Sequence, residues 1–225
     1  LVLKYNGFIE FKIKKNSSGE YTLDIDSKNY GKPMYASYTG NETPEEREII
    51  KNVLNSNWKF VPKNILKEIQ KISPNNYFGE VIKVLMITSS GAEGISLKNV
   101  RFVHIMEPYW HPVRIQQVIG RAKRICSHSD LPKQYQDVHV ILYLMTFNEE
   151  QINSDGAIEL RLKDKSKINH KTVVSSDEFL YEISKIKEKI NLDILNNIKQ
   201  SSIDCSIHSR SSSTEKIKCF TIGNA

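Results

Sequence analysis

Residues 81–128 read VIKVLMITSSGAEGISLKNVRFVHIMEPYWHPVRIQQVIGRAKRICSH, and this stretch decides the fold. Its apolar run at 84–87 breaks into Thr88, Ser89, Ser90 and Gly91, the pattern of a buried strand opening into a small-residue loop. Residues 92–95 suit one helical turn. A second apolar run, 100–106, is bounded by Pro108 and Pro112 and is too short for a helix. Two short buried strands separated by a crossover argue for an α/β fold with a parallel sheet covered on both faces. Pro112 then opens a helix with Ile115, Val118 and Ile119 on one face. Gln117, Gly120, Arg121 and Arg124 fall on or near another face.

Those four residues spell QxxGRxxR. Arg121 and Arg124 are three apart, a spacing that projects both to one side of a helix. Two permanently charged planar donors aimed together suit a phosphate whose charge spreads during phosphoryl transfer. Gly120 would let the helix backbone approach a neighbour closely. Gln117 could hold a water or a phosphate oxygen, or orient the arginines. Taken alone, Arg121, Lys123 and Arg124 suit a solvated basic face equally well. The full pattern, preceded by a small-residue loop between two apolar strands, favours the functional reading.

On these residues the chain resembles the second RecA-like lobe of superfamily 2 helicases and translocases. Residues 88–96 are similar to motif V of that superfamily, and residues 117–124 to motif VI. The order of Trp110, Pro112 and a Gln-rich helix within 107–124 resembles the chromatin-remodeller-like branch. The wording EPYWHPVRIQQVIGRAKRICSH, with LYLMTF at 142–147, most resembles ATPase/helicase proteins of large nucleocytoplasmic DNA viruses. The resemblance implies a RecA-like parallel sheet with helices on both faces. It also implies arginine fingers at Arg121 and Arg124, assisted by Gln117, acting on a nucleotide held by another lobe. Thr88, Ser89 and Ser90 would touch a tracked nucleic-acid strand, while Glu93, Gly94, Ser96 and Gly120 would lie nearer the nucleotide. Some families carry Asp at the position of Ser96 to hold the ribose, and this chain departs from them there.

Composition is ordinary for a globular protein: 225 residues, 39% hydrophobic and 26% charged. That length accommodates one sizeable core plus appendages. A net charge of +6 suits a polyanionic partner such as nucleic acid. Cys126, Cys205 and Cys219 are odd in number and widely spaced, so neither a disulfide framework nor a zinc pattern is expected. Cys126 with His128 has no matching second pair for a metal. A reducing, intracellular compartment is the default, and the viral resemblance extends it to a virion or a viral factory in host cytoplasm. No apolar stretch is long enough to span a bilayer.

Working outward, residues 1–7 read as a last helical turn with Gly7 as its stop. In the resembled lobes such a helix follows the motif IV strand, so the chain is expected to begin inside the lobe. Alternation at 8–15 and 20–25 around a polar turn predicts a hairpin, an insertion at about 8–30. A solvent-covered decoration is favoured there over a nucleic-acid clamp. Residues 33–38 suit a strand ending at Thr39 and Gly40. Thr43, Pro44, Glu45 and Glu46 then supply cap, first position and acidic first turn of a helix ending near Asn55. Thr39 and Gly40 are similar to motif IVa and could approach a nucleic-acid backbone, although strand-to-helix turn chemistry explains them almost as well.

Residues 57–77 read as a connecting insertion whose lysines form a solvated helix face. Tyr109 and Trp110 are expected to pack within the lobe, with base stacking as the alternative. Residues 138–145 would close the sheet as its last strand. The expected domains are the lobe at 1–148, then a linker and helical extension at 149–225. In the extension Asp177 is the expected helix cap. Phe179, Ile183, Ile186, Ile190, Ile194 and Ile198 form an apolar stripe expected to pack against the lobe, with a partner surface as the alternative. A flexible tail from Ser201 ends in a short strand at 216–222.

No GxxxxGK[ST] loop occurs in the sequence. The expectation is therefore the C-terminal lobe of an ATP-dependent helicase or DNA translocase, inactive as an isolated chain. ATP and Mg2+ would be held mainly by an N-terminal RecA-like lobe of the same protein. Further expected partners are nucleic acid, DNA ahead of RNA, and transcription machinery; no membrane and no resident metal are expected. The alternative is a non-catalytic nucleic-acid-binding transcription-factor subunit that keeps the fold.

Overall fold

Met34–Tyr38 (β4) is central because it is apolar on both sides where it enters the sheet. Met34 and Ala36 are fully buried and Tyr35 nearly so. The computed structural model describes residues 2–88, 94–155, 174–205, 207 and 219–220. Preceding β4 are a short helix, Val2–Tyr5 (α1), and three strands: Ile9–Glu10 (β1), Ile13–Lys15 (β2) and Tyr21–Leu23 (β3). Then come Pro44–Leu54 (α2), Lys63–Ile69 (α3), Val84–Ile87 (β5), Phe102–Ile105 (β6) and Pro112–Ala122 (α4). His139–Leu142 (β7), Glu149–Ile152 (α5) and Ser176–Ser201 (α6) complete the order. The chain divides into two compact units, residues 1–103 with 117–141, and residues 104–116 with 142–225.

In the first unit, β1, β4 and β5 form a parallel sheet in that order, with Ile9 opposite Met34 and Tyr38 opposite Ile87. Thr43 starts α2 with a complete capping box, its side chain accepting from the Glu46 N–H while the Glu46 carboxylate accepts from the Thr43 N–H. Pro44 sits at the first position, where a missing N–H costs nothing. Val53 of α2, Ile65 and Ile69 of α3, and Val81 are fully buried beside Met34 and Ala36. Burial of each large aliphatic side chain is worth about 1.5–3 kcal/mol.

The expected hairpin is present as β2 paired antiparallel with β3, Ile13 opposite Leu23. Its entry differs, since Ile9–Glu10 belongs to the main sheet. The reason is apolar partnering: Phe11, just beyond β1, is buried in the core and donates its N–H to the Tyr35 carbonyl.

The strands of the opening stretch are less covered than their apolar character suggests. β6 and β7 form a separate two-stranded sheet and have no ladder to β5. Phe102 is 52% exposed, and Met86, Ile87, Val140 and Ile141 are exposed too. A continuous apolar run records two apolar faces; it does not record that both are covered. The helical turn read at 92–95 is also absent at its described end. Gly94 is left-handed at φ 74°, and Ile95 is buried but not helical.

In the second unit, α6 is capped by Ser175, whose side chain accepts from the Glu178 N–H, and not by Asp177. The Asp177 carboxylate instead accepts the Met145 N–H at 2.9 Å, while the Ser175 hydroxyl donates to the Met145 carbonyl. The helix start is therefore fixed by two bonds to one residue. Its stripe is not packed in a core: Ile186, Ile190, Ile194 and Ile198 are all more than half exposed. Helical spacing fixes which residues share a face, and the surrounding fold decides whether that face is covered. Trp110 is likewise exposed, with Lys187 Nζ 3.7 Å from its ring centroid, so the buried-packing reading fails for it. Cys205 and Cys219 are joined by a disulfide, where the sequence led to no disulfide framework. Their Cα atoms lie 5.7 Å apart, which spacing along the chain could not reveal. The strand expected at 216–222 lies outside the described residues except for Cys219 and Phe220, and so does most of the expected linker. Among the described residues no helix is long and apolar enough to cross a membrane.

Candidate functional site

The parallel sheet itself brings two of the expected segments together. Tyr38 and Ile87 are register partners in β4 and β5, so Thr39 and Thr88 follow them at the carboxyl edge of neighbouring strands. Open parallel sheets bind ligands along that edge. Thr39, however, is engaged locally. Its N–H and hydroxyl donate to the Glu42 carboxylate at 2.6 and 2.8 Å, and its hydroxyl accepts the Asn41 N–H. Burial pushes the Glu42 carboxyl up, but the two Thr39 bonds, its own backbone N–H and the nearby Arg47 charge outweigh that and hold it below the usual carboxylate range. Gly40 is exposed beside it. Thr88 is exposed, and Ser89, Ser90 and Glu93 lie outside the described residues.

After the loop, the chain is clamped. Asn55, which caps the end of α2, donates from Nδ2 to the Ser96 carbonyl at 2.9 Å and accepts the Lys98 N–H at 2.8 Å. One side-chain amide thus holds both backbone ends of Ser96–Lys98, with the Leu97 side chain buried between them. The Leu97 N–H in turn donates to the Arg121 carbonyl at 3.2 Å. That bond ties the residues following the expected motif V to the backbone of the expected motif VI.

The arginine segment departs from the simple helical picture. α4 ends at Ala122, so Arg121 is helical and Arg124 is not. The helix stops because its last groups find other partners. The Arg121 carbonyl is taken by Leu97, the Ala122 carbonyl accepts the Ser127 hydroxyl at 3.0 Å, and Cys126 is left-handed at φ 60°. Gln117 and Arg124 are exposed, and Gly120 and Arg121 are partly so. Among the described residues neither guanidinium has a carboxylate or hydrogen-bond partner. A Cβ placed on Gly120 would meet nothing within 4 Å, so nothing described in this chain demands glycine there. The residues that fix this segment, Asn55, Ser127 and His128, were not expected from the sequence. Their one legible sign was the polar Ser-His pair directly after the arginine motif.

Chemically, two guanidiniums without a partner among the described residues suit an anion. The fit is to the phosphate portion of a nucleotide or of a polynucleotide backbone. Among the described residues no group of three or more His, Cys, Asp or Glu could hold a metal ion.

Comparison with known proteins bears on this geometry. Residues 23–126 match the helicase conserved C-terminal domain. The chain is 32% identical over 173 residues, 77% of its own length and 17% of the relative, to a protein of Acanthamoeba polyphaga mimivirus named as a candidate ATP-dependent RNA helicase. It is 33% identical over 175 residues, 77% of its length and 20% of the relative, to a termination factor NPH-I homolog of African swine fever virus. It is 36% identical over 92 residues, 40% of its length and 14% of the relative, to nucleoside triphosphatase I of Amsacta moorei entomopoxvirus. The chain therefore spans about a fifth or less of the length of these curated relatives.

Proposed function

Because residues 23–126 are a helicase conserved C-terminal domain, we propose that this chain is the C-terminal lobe of an ATP-dependent nucleic-acid helicase or DNA translocase. The lobe spans 1–148, and 149–225 is a linker and helical extension. Arg121 and Arg124 act as arginine fingers toward a nucleotide held by an N-terminal RecA-like lobe. They would hold the negative charge that builds on the transferred phosphoryl oxygens, and Gln117 would orient them or the attacking water. Glu93, Gly94, Ser96 and Gly120 lie on the nucleotide side. Thr39, Gly40, Thr88, Ser89 and Ser90 contribute to a groove for the nucleic-acid backbone, DNA ahead of RNA, read without base specificity. Mg2+ belongs with the other lobe, where it would neutralise phosphate charge.

The observation that carries this reading is the pair of guanidiniums without a partner among the described residues, one of them backed by the Leu97–Arg121 backbone bond. A merely solvated charge run has no need of that tether. The name of one viral relative, a termination factor homolog, supports a transcription-linked role. The test is nucleic-acid-stimulated ATP turnover by the complete protein, wild type against Arg121→Ala and Gln117→Ala. Turnover should be present in the wild type, lost in the first variant and reduced in the second. Absence of turnover in the wild type with either DNA or RNA would leave a passive nucleic-acid-binding subunit as the working account.

A further inference from the structure

We propose that Ser127 and His128 are positioning residues for Arg124, a role that rests on the function proposed above. Arg124 lies beyond the end of α4, so no helix fixes it. Its backbone is instead held on both sides by one residue. The Arg124 N–H donates to the Ser127 hydroxyl at 3.3 Å, and the Arg124 carbonyl accepts the Ser127 N–H at 3.1 Å. Ser127 is itself anchored, since its carbonyl accepts the Asn99 N–H at 2.9 Å. Its hydroxyl lies 2.8 Å from His128 Nδ1.

The imidazole completes the connection. His128 Nε2 is 2.8 Å from the Val100 carbonyl, just ahead of β6. A carbonyl only accepts, so Nε2 carries a proton toward Val100, while the Ser127 hydroxyl, with one proton, is within hydrogen-bond distance of both Nδ1 and the Ala122 carbonyl. Ser127 and His128 are 6% and 8% exposed, so water cannot readily replace these bonds. The ring thus spans from strand lead-in to arginine segment. Arg121 has its own supports in α4 and in Leu97, which makes the dependence on His128 specific to Arg124.

The expected signature is non-additivity, which general destabilisation would not produce. In the complete protein, His128→Ala should lower kcat for nucleic-acid-stimulated ATP hydrolysis by about 10²-fold, the scale expected for a misplaced catalytic group, with KM for ATP within twofold. In an Arg124→Ala background the same change should cost less than twofold, whereas in an Arg121→Ala background it should keep its effect. A His128→Ala protein that folds and turns over within twofold of wild type overturns the proposal. An equal loss in the Arg124→Ala background does so as well. His128→Gln, which retains a side-chain donor, serves if the alanine variant does not fold. Hydrogen–deuterium exchange over residues 121–128 separates this proposal from the proposed function. Faster exchange in His128→Gln upholds the clasp even if the wild type hydrolyses nothing, and unchanged exchange overturns it even if Arg124 proves essential.

Discussion

Asn76 and Arg124 lie in the same unit and answer opposite demands. Asn76 is 4% exposed and its side chain makes four hydrogen bonds: Nδ2 donates to the Leu54 and Ile82 carbonyls, and Oδ1 accepts the Val81 and Ile82 N–H groups. Arg124 is exposed, and its guanidinium has no partner among the described residues. The first residue uses up its bonding capacity inside the chain and closes the end of α2 onto the lead-in to β5. The second keeps its capacity for something outside. Asn76 builds the fold and is saturated; Arg124, proposed to act, has a guanidinium without a partner among the described residues on a backbone that Ser127 holds.

The sharpest way to break the saturated side is Asn76→Ala. It strands two buried N–H groups and two carbonyls, so unfolding in urea should report a loss of about 4 kcal/mol. A loss below 1 kcal/mol would mean that water or a shifted backbone serves those groups. Removing the α2 cap with Thr43→Ala should cost about 1 kcal/mol by the same measurement.

Gly120 probes the open side. Open space around it means that Gly120→Ala should raise stability by up to about 1 kcal/mol through helix propensity. The same variant should lower ATP turnover in the complete protein, because the proposed function brings a neighbouring lobe into that space. Unchanged turnover would show that no close approach occurs there.

The smallest effect concerns pH. Glu42 has a folded carboxyl below its ordinary range, so the folded state binds fewer protons than the unfolded state between the two values. Its contribution is complete above the unfolded carboxylate range and is lost as pH falls through the lower folded value. Wild type should therefore exceed Glu42→Gln in stability at neutral pH, with the gap closing in acid. A gap that widens on acidification would reverse the assigned sign.

The same contrast explains what could be read from the sequence. The box at Thr43, Pro44 and Glu46 depends on spacing within a few residues, and spacing is written in the chain. The domain match over 23–126 agrees with that reading of family and fold. The end of α4 before Arg124 was not legible, because it is set by Ser127 and Leu97 reaching back across the fold. Asn55 and Asn76 look like ordinary loop residues until tertiary structure supplies their partners. Coverage was the other gap: the apolar residues at Phe102, Ile190 and Ile194 are arranged as expected, yet remain more than half exposed.

The most direct test of the central claim is ATP hydrolysis by the complete protein with Arg124→Ala, with ATP binding measured separately by equilibrium titration. An open guanidinium that acts only on the reacting phosphate predicts turnover reduced by about 10³-fold or more, with ATP affinity within a few-fold of wild type. Turnover equal to wild type would contradict it, and Arg124 would then be a solvated charge at the end of a surface helix.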